Sequence, residues 1–365
     1  MAYAAKHLWL GFLLIALASA ILLFTDREQR RASAAGATVL RVAIVQHAST
    51  PVLDDGLSGT LEALTERGYR DGERLKIDRF NANGDMPTGI AIARQVTTGS
   101  YDLVITSSTP SMQAVANNNR DGNVRHVFTM VADPFVAGIG LDRADPMKHP
   151  PYLVGQGIFP PVERAFQIAR QMLPALTTIG TVWNPAESNS LAFVTRAREV
   201  AKQMKLTLLE ANADNASAVS EALRSLYVRG AQAIWVGGDN TVIAAIGSVI
   251  ASCQRRRLPV FTILPGAPDR GTLFDVGPDF HQVGRLGGLL AADVLAGANM
   301  ARIPIRDVED LVPPYLSVNT KVVKNLKDPW RVPDEVLAAA NVVVDDSGVH
   351  RREPTGSSGQ RAGVK

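Results

Sequence analysis

Continuous apolar runs alternate with helically spaced apolar positions along most of this chain. "VLRVAIVQ" lacks the polar alternation of a half-exposed strand, which suits a strand of a parallel sheet buried on both faces. Leu57, Leu61 and Leu64 then recur at helical spacing and stop at Gly68. "LKIDRF" predicts a second strand; Ile90, Ala93 and Val96 predict a second helix, with Asp85 placed to cap it. "YDLVITS", a helix from about Ser111 and "HVFTMVA" continue the series. A second series begins near Gly157. Phe166, Ala169 and Met172 share a helical face, followed by "TIGTVW", a helix from Ser188 and "LTLLE". Val219, Ala222, Leu223 and Leu226 then mark a helix, followed by "AIWVGG", a helix carrying Ile246, Val249 and Ile250, and "LPVFTI". Strand-helix alternation of this kind argues for parallel sheets covered on both faces. Two halves of similar size and order predict an α/β protein of two doubly wound parallel-sheet lobes.

The ends of the chain read differently. Leu8 to Phe24 is a run of 17 residues without a charge, preceded by Lys6. That is short for a membrane span and long for a signal-peptide core, so an uncleaved anchor or an atypical signal peptide fits, with the anchor favoured. Ala18-Ser19-Ala20 offers a cleavage pattern, and no cysteine follows to carry a lipid. "RASAAGA" reads as a linker, and the basic, Gly/Ser-rich last twenty residues as a disordered tail. The balance of 38 basic against 35 acidic residues implies no nucleic-acid partner. The single Cys253 rules out an internal disulfide or a multi-thiolate metal site, leaving a packing residue or a free thiol.

Ligands of open parallel sheets bind beyond the carboxyl ends of the strands. The segments after the strands here are mostly small and polar: "QHASTPVLDDG", "TSSTPS" and "ADPF" in the first half, then "NPAESNS", "GGDNT" and "LPGAPD". Each stretch by itself has a capping or turn explanation. Together they put polar rims at one edge of both lobes and point to a cleft between them. Ser107, Ser108 and Thr109 precede a helix start, whose free N–H groups favour an anion such as a carboxylate. Asp133, Glu187 and Asp239 are acceptors suited to an ammonium group, while Asn184, Asn189 and Asn240 serve either charge. A zwitterion fits this mixture, and an amino acid is the simplest one. In "NPAESNS" one residue, Ser188, suffices to cap the helix, which leaves the others free to face the cleft.

Other chemistries lack their motifs. Neither Gly-x-Gly-x-x-Gly after the first strand nor Gly-x-x-x-x-Gly-Lys-Ser/Thr occurs, so no cofactor loop is evident. "GRLGGLL" lies inside a helical pattern and reads as close helix packing. The six histidines lack metal-ligand spacing, and no Gly-x-Ser-x-Gly nucleophile elbow is present. His47 fits a ligand contact or a structural role, and Asp133-Pro134 a strained turn at the rim or a plain strand stop.

"QHASTPVLDDG", "FNANGD", "SSTPSMQA", "VADPFVAGIG", "WNPAESNS", "GGDNTV" and "VGPDF" stand in the order found in one family. From about residue 39 to 325 the chain resembles the substrate-binding proteins of ABC importers, in the group with tryptophan- and tyrosine-binding members; Asn-Pro-x-Glu-x-Asn-Ser is the most specific block. The resemblance implies a type I periplasmic-binding fold with a three-segment hinge near Tyr152–Gly157, Thr272–Gly277 and Ile303–Arg306. Carried over by position, the ligand site comprises Gln46, Leu53, Asp54, Ser108, Thr109, Asp133, Asn184, Glu187, Asn189, Ser190, Asp239 and Asn240, and Asn319 matches a late asparagine. Thr50-Pro51 stands where the family often has His-Pro, and "VNTKVVKNLKDPW" lacks an alanine usual after that asparagine, so an aromatic ligand is a hypothesis only. The implied organisation is an N-terminal segment and linker over 1–38, a first lobe over 39–154 and 276–303, a second over 155–275, return and C-terminal elements over 304–345, and a tail over 346–365.

The expected function is that of a non-enzymatic, extracytoplasmic receptor without a cofactor. It would close on a small zwitterion and deliver it to an ABC permease, in the periplasm and tethered to the inner membrane by residues 8–24. The alternative is a sensory module of the same fold that reports its ligand to a membrane partner.

Overall fold

The computed structural model describes residues 39–352. The apolar run 8–24 and the last part of the predicted tail, 353–365, lie outside the described residues. Among the described residues no helix is long and apolar enough to cross a membrane.

The first lobe alternates strictly: β1 (Leu40–Gln46), α1 (Pro51–Glu66), β2 (Leu75–Asn81), α2 (Met86–Val96), β3 (Leu103–Ser107), α3 (Thr109–Asn118), β4 (His126–Val131) and β5 (Leu153–Gly157). The apolar runs become strands because both sheet faces are covered: β3 and β4 are buried at every position. Helix starts follow their caps. Asp85 accepts from the Thr88 backbone N–H at 2.9 Å, and Thr50 accepts from that of Leu53 at 3.3 Å with Pro51 next in the chain. Of the face predicted for α2, Ala93 and Val96 are buried and Ile90 faces solvent. Helix α3 starts two residues before Ser111, because Ser108 supplies the cap and Pro110 fits the first turn.

The second lobe runs through α4 (Val162–Met172), β6 (Thr178–Trp183), α5 (Ser188–Gln203), β7 (Thr207–Asn212), α6 (Val219–Val228), β8 (Ala233–Val236), α7 (Asn240–Ala244), α8 (Ile246–Arg255), β9 (Val260–Thr262) and β10 (Phe274–Gly277). Phe166 meets Trp235 edge-on at 5.4 Å, and Phe261 stacks on Phe274 at 5.0 Å, at the centre of its core. The chain returns to the first lobe as α9 (Phe280–Leu295) and β11 (Arg306–Asp307). It then closes the second with β12 (Tyr315–Asn319), α10 (Thr320–Val323), α11 (Asp334–Ala339), β13 (Val342–Asp345) and β14 (Gly348–Arg351). The sheets have orders β11-β5-β4-β3-β1-β2 and β14-β13-β12-β10-β9-β8-β6-β7. All strand pairs are parallel except β10–β12 and β13–β14.

Three expectations are corrected. The crossings lie past the strand ends, over 158–161, 278–279 and 308–314, because each strand completes its ladder before leaving its sheet. The first lobe therefore keeps residues to 157 and regains the chain at Phe280, while Phe274–Gly277 pairs in the second sheet. The tail does not begin at 346: Gly348 to Arg351 pair antiparallel with Asp345 to Val342.

The glycines of "GRLGGLL" do provide close helix packing. A Cβ on Gly284 would stand 1.8 Å from the Gly56 carbonyl oxygen of α1, and one on Gly288 2.4 Å from that of Thr60. Thr60 Oγ1 donates to the Gly56 and Gly284 carbonyls, both at 2.9 Å. Gly284→Ala is therefore expected to destabilise the protein by about 3 kcal/mol, the upper range for overpacking, because backbone cannot move aside as a side chain can. Chemical denaturation of the purified variant checks this.

Candidate functional site

The first lobe's contribution stands at the ends of β1, β3 and β4. Ser108 has φ 121° and ψ 158°, a conformation rare for anything but glycine, and accepts from the Ser111 backbone N–H at 3.4 Å. Thr109 Oγ1 accepts from the Ala132 backbone N–H at 3.3 Å, tying the exit of β3 to that of β4. Met130 has φ 58° at the irregularity where the β4–β5 register shifts between Phe128 and Val131. Two strained residues on one wall cost about 1–3 kcal/mol each, and such strain clusters at ligand sites. Here it aims the amino end of α3, where the Thr109 N–H has no partner among the described residues, into the space between the lobes.

The second lobe's wall is built on two buried carboxylates. Glu187 Oε2 accepts from the Asn240 backbone N–H at 3.0 Å, the Asn240 amide at 2.7 Å and the Asn189 amide at 3.2 Å. Its Oε1 accepts from the Thr241 backbone N–H at 3.0 Å and the Thr241 hydroxyl at 2.8 Å. Asp239 caps α7 through the Val242 N–H at 2.7 Å and takes the Asn184 N–H at 2.6 Å and the Ser190 hydroxyl at 2.5 Å. Each carboxylate thus stabilises the loop that carries the other. Burial and the neighbouring Glu187 charge push the Asp239 carboxyl up to about 7. Burial also lowers His47, on the first lobe, against the opposing pull of Glu187 and Asp85.

Between these walls is a small cavity of about 50 Å³ that opens to solvent. Its polar lining is Thr50, Ser108, Thr109, Asn189 and Asn240; its apolar lining includes Leu53, Met130, Ile158, Phe193, Ile243 and Phe280. Among the described residues no ionised side chain lines it. A charged ligand group would therefore meet backbone N–H groups, hydroxyls and amides. The Asn189 side-chain oxygen is buried without a hydrogen-bond partner among the described residues, which leaves it an acceptor for a bound donor.

The twelve residues singled out from the sequence separate into groups. Leu53, Ser108, Thr109, Asn189 and Asn240 line the cavity. Asn184, Glu187, Ser190 and Asp239 form the network behind it, where the donors to the two carboxylates are the protein's own. Gln46 and Asp54 brace the first loop: the Gln46 amide donates to the Leu53 carbonyl at 3.2 Å, and Asp54 accepts from the Ser49 hydroxyl at 2.6 Å. Asp133 does not line the cavity. It accepts from Phe135 N–H at 3.0 Å and pairs with Arg143 at 2.8 Å, as a turn residue does. Asn319 caps α10 through the Lys321 N–H at 3.1 Å. Ser188 makes no capping bond at α5; its hydroxyl donates to Gln113 Oε1 at 3.0 Å. Cys253 is buried against the Tyr227 hydroxyl at 3.2 Å, and burial pushes its thiol up to about 12, so it packs.

Sequence reasoning passed over the apolar wall, because the search was for polar rims. Phe193 had a signal: it stands one helical turn after Asn189 and shares its face of α5. Phe159 stacks on it at 4.6 Å.

The family described as ABC transporter substrate binding protein matches residues 41–344. A relative named tyrosine-binding protein, from Clostridioides difficile, is 29% identical over 269 residues, covering 74% of this chain and 76% of its own. The crystal structure of an ABC domain in complex with L-Trp, from Streptococcus pneumoniae, is 25% identical and covers 83% of this chain and 100% of its own, with a TM-score of 0.73. The ligand-free, open structure of a substrate-binding protein from Clostridium difficile is 26% identical and covers 80% of this chain and 96% of its own, with a TM-score of 0.55. Parallel-sheet lobes of the type I periplasmic-binding kind are common to this chain and these structures.

The raised Asp239 group has a sign that a titration reads. Between the ordinary 3.8 and about 7 the folded protein keeps a proton that the unfolded chain releases, so stability falls as pH rises through that window. The unfolding temperature, followed across this range, is expected to fall in the native protein and to vary less in Asp239→Asn.

Proposed function

The chain belongs to the ABC transporter substrate-binding protein family, and from that premise we propose that it binds an amino acid with an aromatic side chain in the inter-lobe cavity and delivers it to an ABC permease. The observation that carries this reading is the cavity's composition: neutral polar groups from both lobes on its sides and an apolar remainder. The ligand carboxylate sits at the amino end of α3, against the Ser108 and Thr109 hydroxyls and the Thr109 backbone N–H. The ammonium group donates to the unpartnered Asn189 oxygen. The side chain lies against Leu53, Met130 and Phe193, where absence of charge disfavours acidic and basic side chains.

Binding and closure are one event, since a ligand that touches both walls is held by both only when they approach. The relatives named for tyrosine and bound to L-Trp support the aromatic class. The protein works on the outer side of the inner membrane, in the periplasm, with residues 8–24 as its tether.

Thermal unfolding of the purified protein with each of the twenty amino acids tests the class. L-tryptophan or L-tyrosine is expected to raise the midpoint through binding to the folded state, and arginine and glutamate are not. No shift with any amino acid in folded protein would remove the reading. Asn189→Ala is expected to weaken binding by about 1.5–3 kcal/mol, the range for a hydrogen bond to a charged group. Isothermal titration measures that loss.

A further inference from the structure

Outside the crossings, one hydrogen bond joins the two lobes among the described residues: the Ser188 hydroxyl, at the start of α5, donates to Gln113 Oε1 on α3 at 3.0 Å. Neither side chain lines the cavity. The other end of the Gln113 amide is also engaged, with its Nε2 donating to the Ala137 carbonyl at 2.6 Å. Ala137 belongs to the turn that Asp133 organises through the N–H groups of Phe135 and Val136, at 3.0 and 3.3 Å. Arg143 then ties that turn to the hinge, pairing with Asp133 at 2.8 Å and with Asp307 of β11 at 2.5 Å. Asp307 is the last residue of its strand before the third crossing.

We infer that Gln113 and Ser188 form a closure latch that sets ligand affinity without touching the ligand. A bond between the two lips requires the lobes to be together, so it contributes to the closed state and to nothing in the open one. By linkage it slows opening and lowers the apparent dissociation constant of any ligand that binds the closed form. Gln113 suits this task because its amide is held from behind by the Ala137 carbonyl, which presents Oε1 to the opposite lobe with little left to order on closing. Asp133, which does not line the cavity, acquires a role here: it holds the turn from which the latch is mounted. The similarity of this structure to an L-Trp complex, with a TM-score of 0.73 against 0.55 for an open, ligand-free relative, agrees with a closed arrangement.

The ligand part of this inference rests on the proposed amino-acid receptor; the latch itself does not. Spin labels on exposed positions of the two lobes, through Glu73→Cys and Lys202→Cys in the full chain, report the distance between lobes by pulsed dipolar spectroscopy without any ligand. Ser188→Ala and Gln113→Ala are each expected to move the population toward longer distances, with Ser188→Thr restoring it. With L-tryptophan, each variant is expected to dissociate about three- to tenfold faster at unchanged association rate, the size of one neutral hydrogen bond. Ser188→Ala is expected to add nothing once Gln113→Ala is present, because both remove the same bond. Unchanged distances in Ser188→Ala, or an equal further effect of Ser188→Ala in the Gln113→Ala background, would overturn the latch. Absence of L-tryptophan binding together with a shifted distance would leave the latch standing and count against the receptor's proposed ligand.

Discussion

Burying two carboxylates side by side is costly unless donors surround them, and the second lobe's cavity-facing wall depends on how that cost is met. Glu187 and Asp239 are each nearly inaccessible. Their eight donors come from two loops that approach the cleft from different strands, β6 and β8, and each acid serves the loop carrying the other. The arrangement fixes Asn189 and Asn240 at the cavity, since both amides are held by Glu187 from behind. Polar groups that contact a ligand are useful only when already oriented, because ordering them on binding subtracts from affinity. The acids therefore act on the site through position, from one layer behind it.

On the other side of the cleft the constraint is steric. Helix α9 returns from the second lobe and lies against α1 with backbone touching backbone at Gly56, Gly59, Gly284 and Gly288. That contact fastens the returning helix to the first lobe. The strained residues Ser108 and Met130 sit on the same lobe, at the strand ends that face the cavity. The proposed latch draws on this arrangement: if rigid lobes move only at their short crossings, a single hydrogen bond at the lips has leverage over closure.

The two-lobed α/β organisation was legible because its signals are local. Buried parallel strands are apolar on both faces, so "VLRVAIVQ" and "HVFTMVA" announce themselves without reference to partners. Asp85 was legible as a cap because a cap acts three residues away. The glycines of "GRLGGLL" were legible because only a close approach explains so many of them on one helical pattern. The crossings were misplaced by a few residues, since nothing in an apolar strand marks where its last ladder bond falls. The hairpin of β13 and β14 was missed for a related reason: its second strand, Gly348–Arg351, is short and mostly exposed, with Val349 as its one apolar side chain.

The polar residues show where local reasoning ends. The sequence by itself determined that small hydroxyls, amides and acids gather after the strands of both lobes, and so that a cleft receives them. It did not determine which of them face the cleft. An aspartate has the same chemistry whether its partners are a ligand's ammonium or two backbone N–H groups, and the choice rests on donors distant in the chain. Glu187 meets Asn240 across a separation of 53 residues, and Ser188 meets Gln113 across 75. Only the tertiary structure, by bringing those groups within hydrogen-bond reach, decided that Asp239 holds a loop, Asn189 faces the cavity and Ser188 joins the lobes.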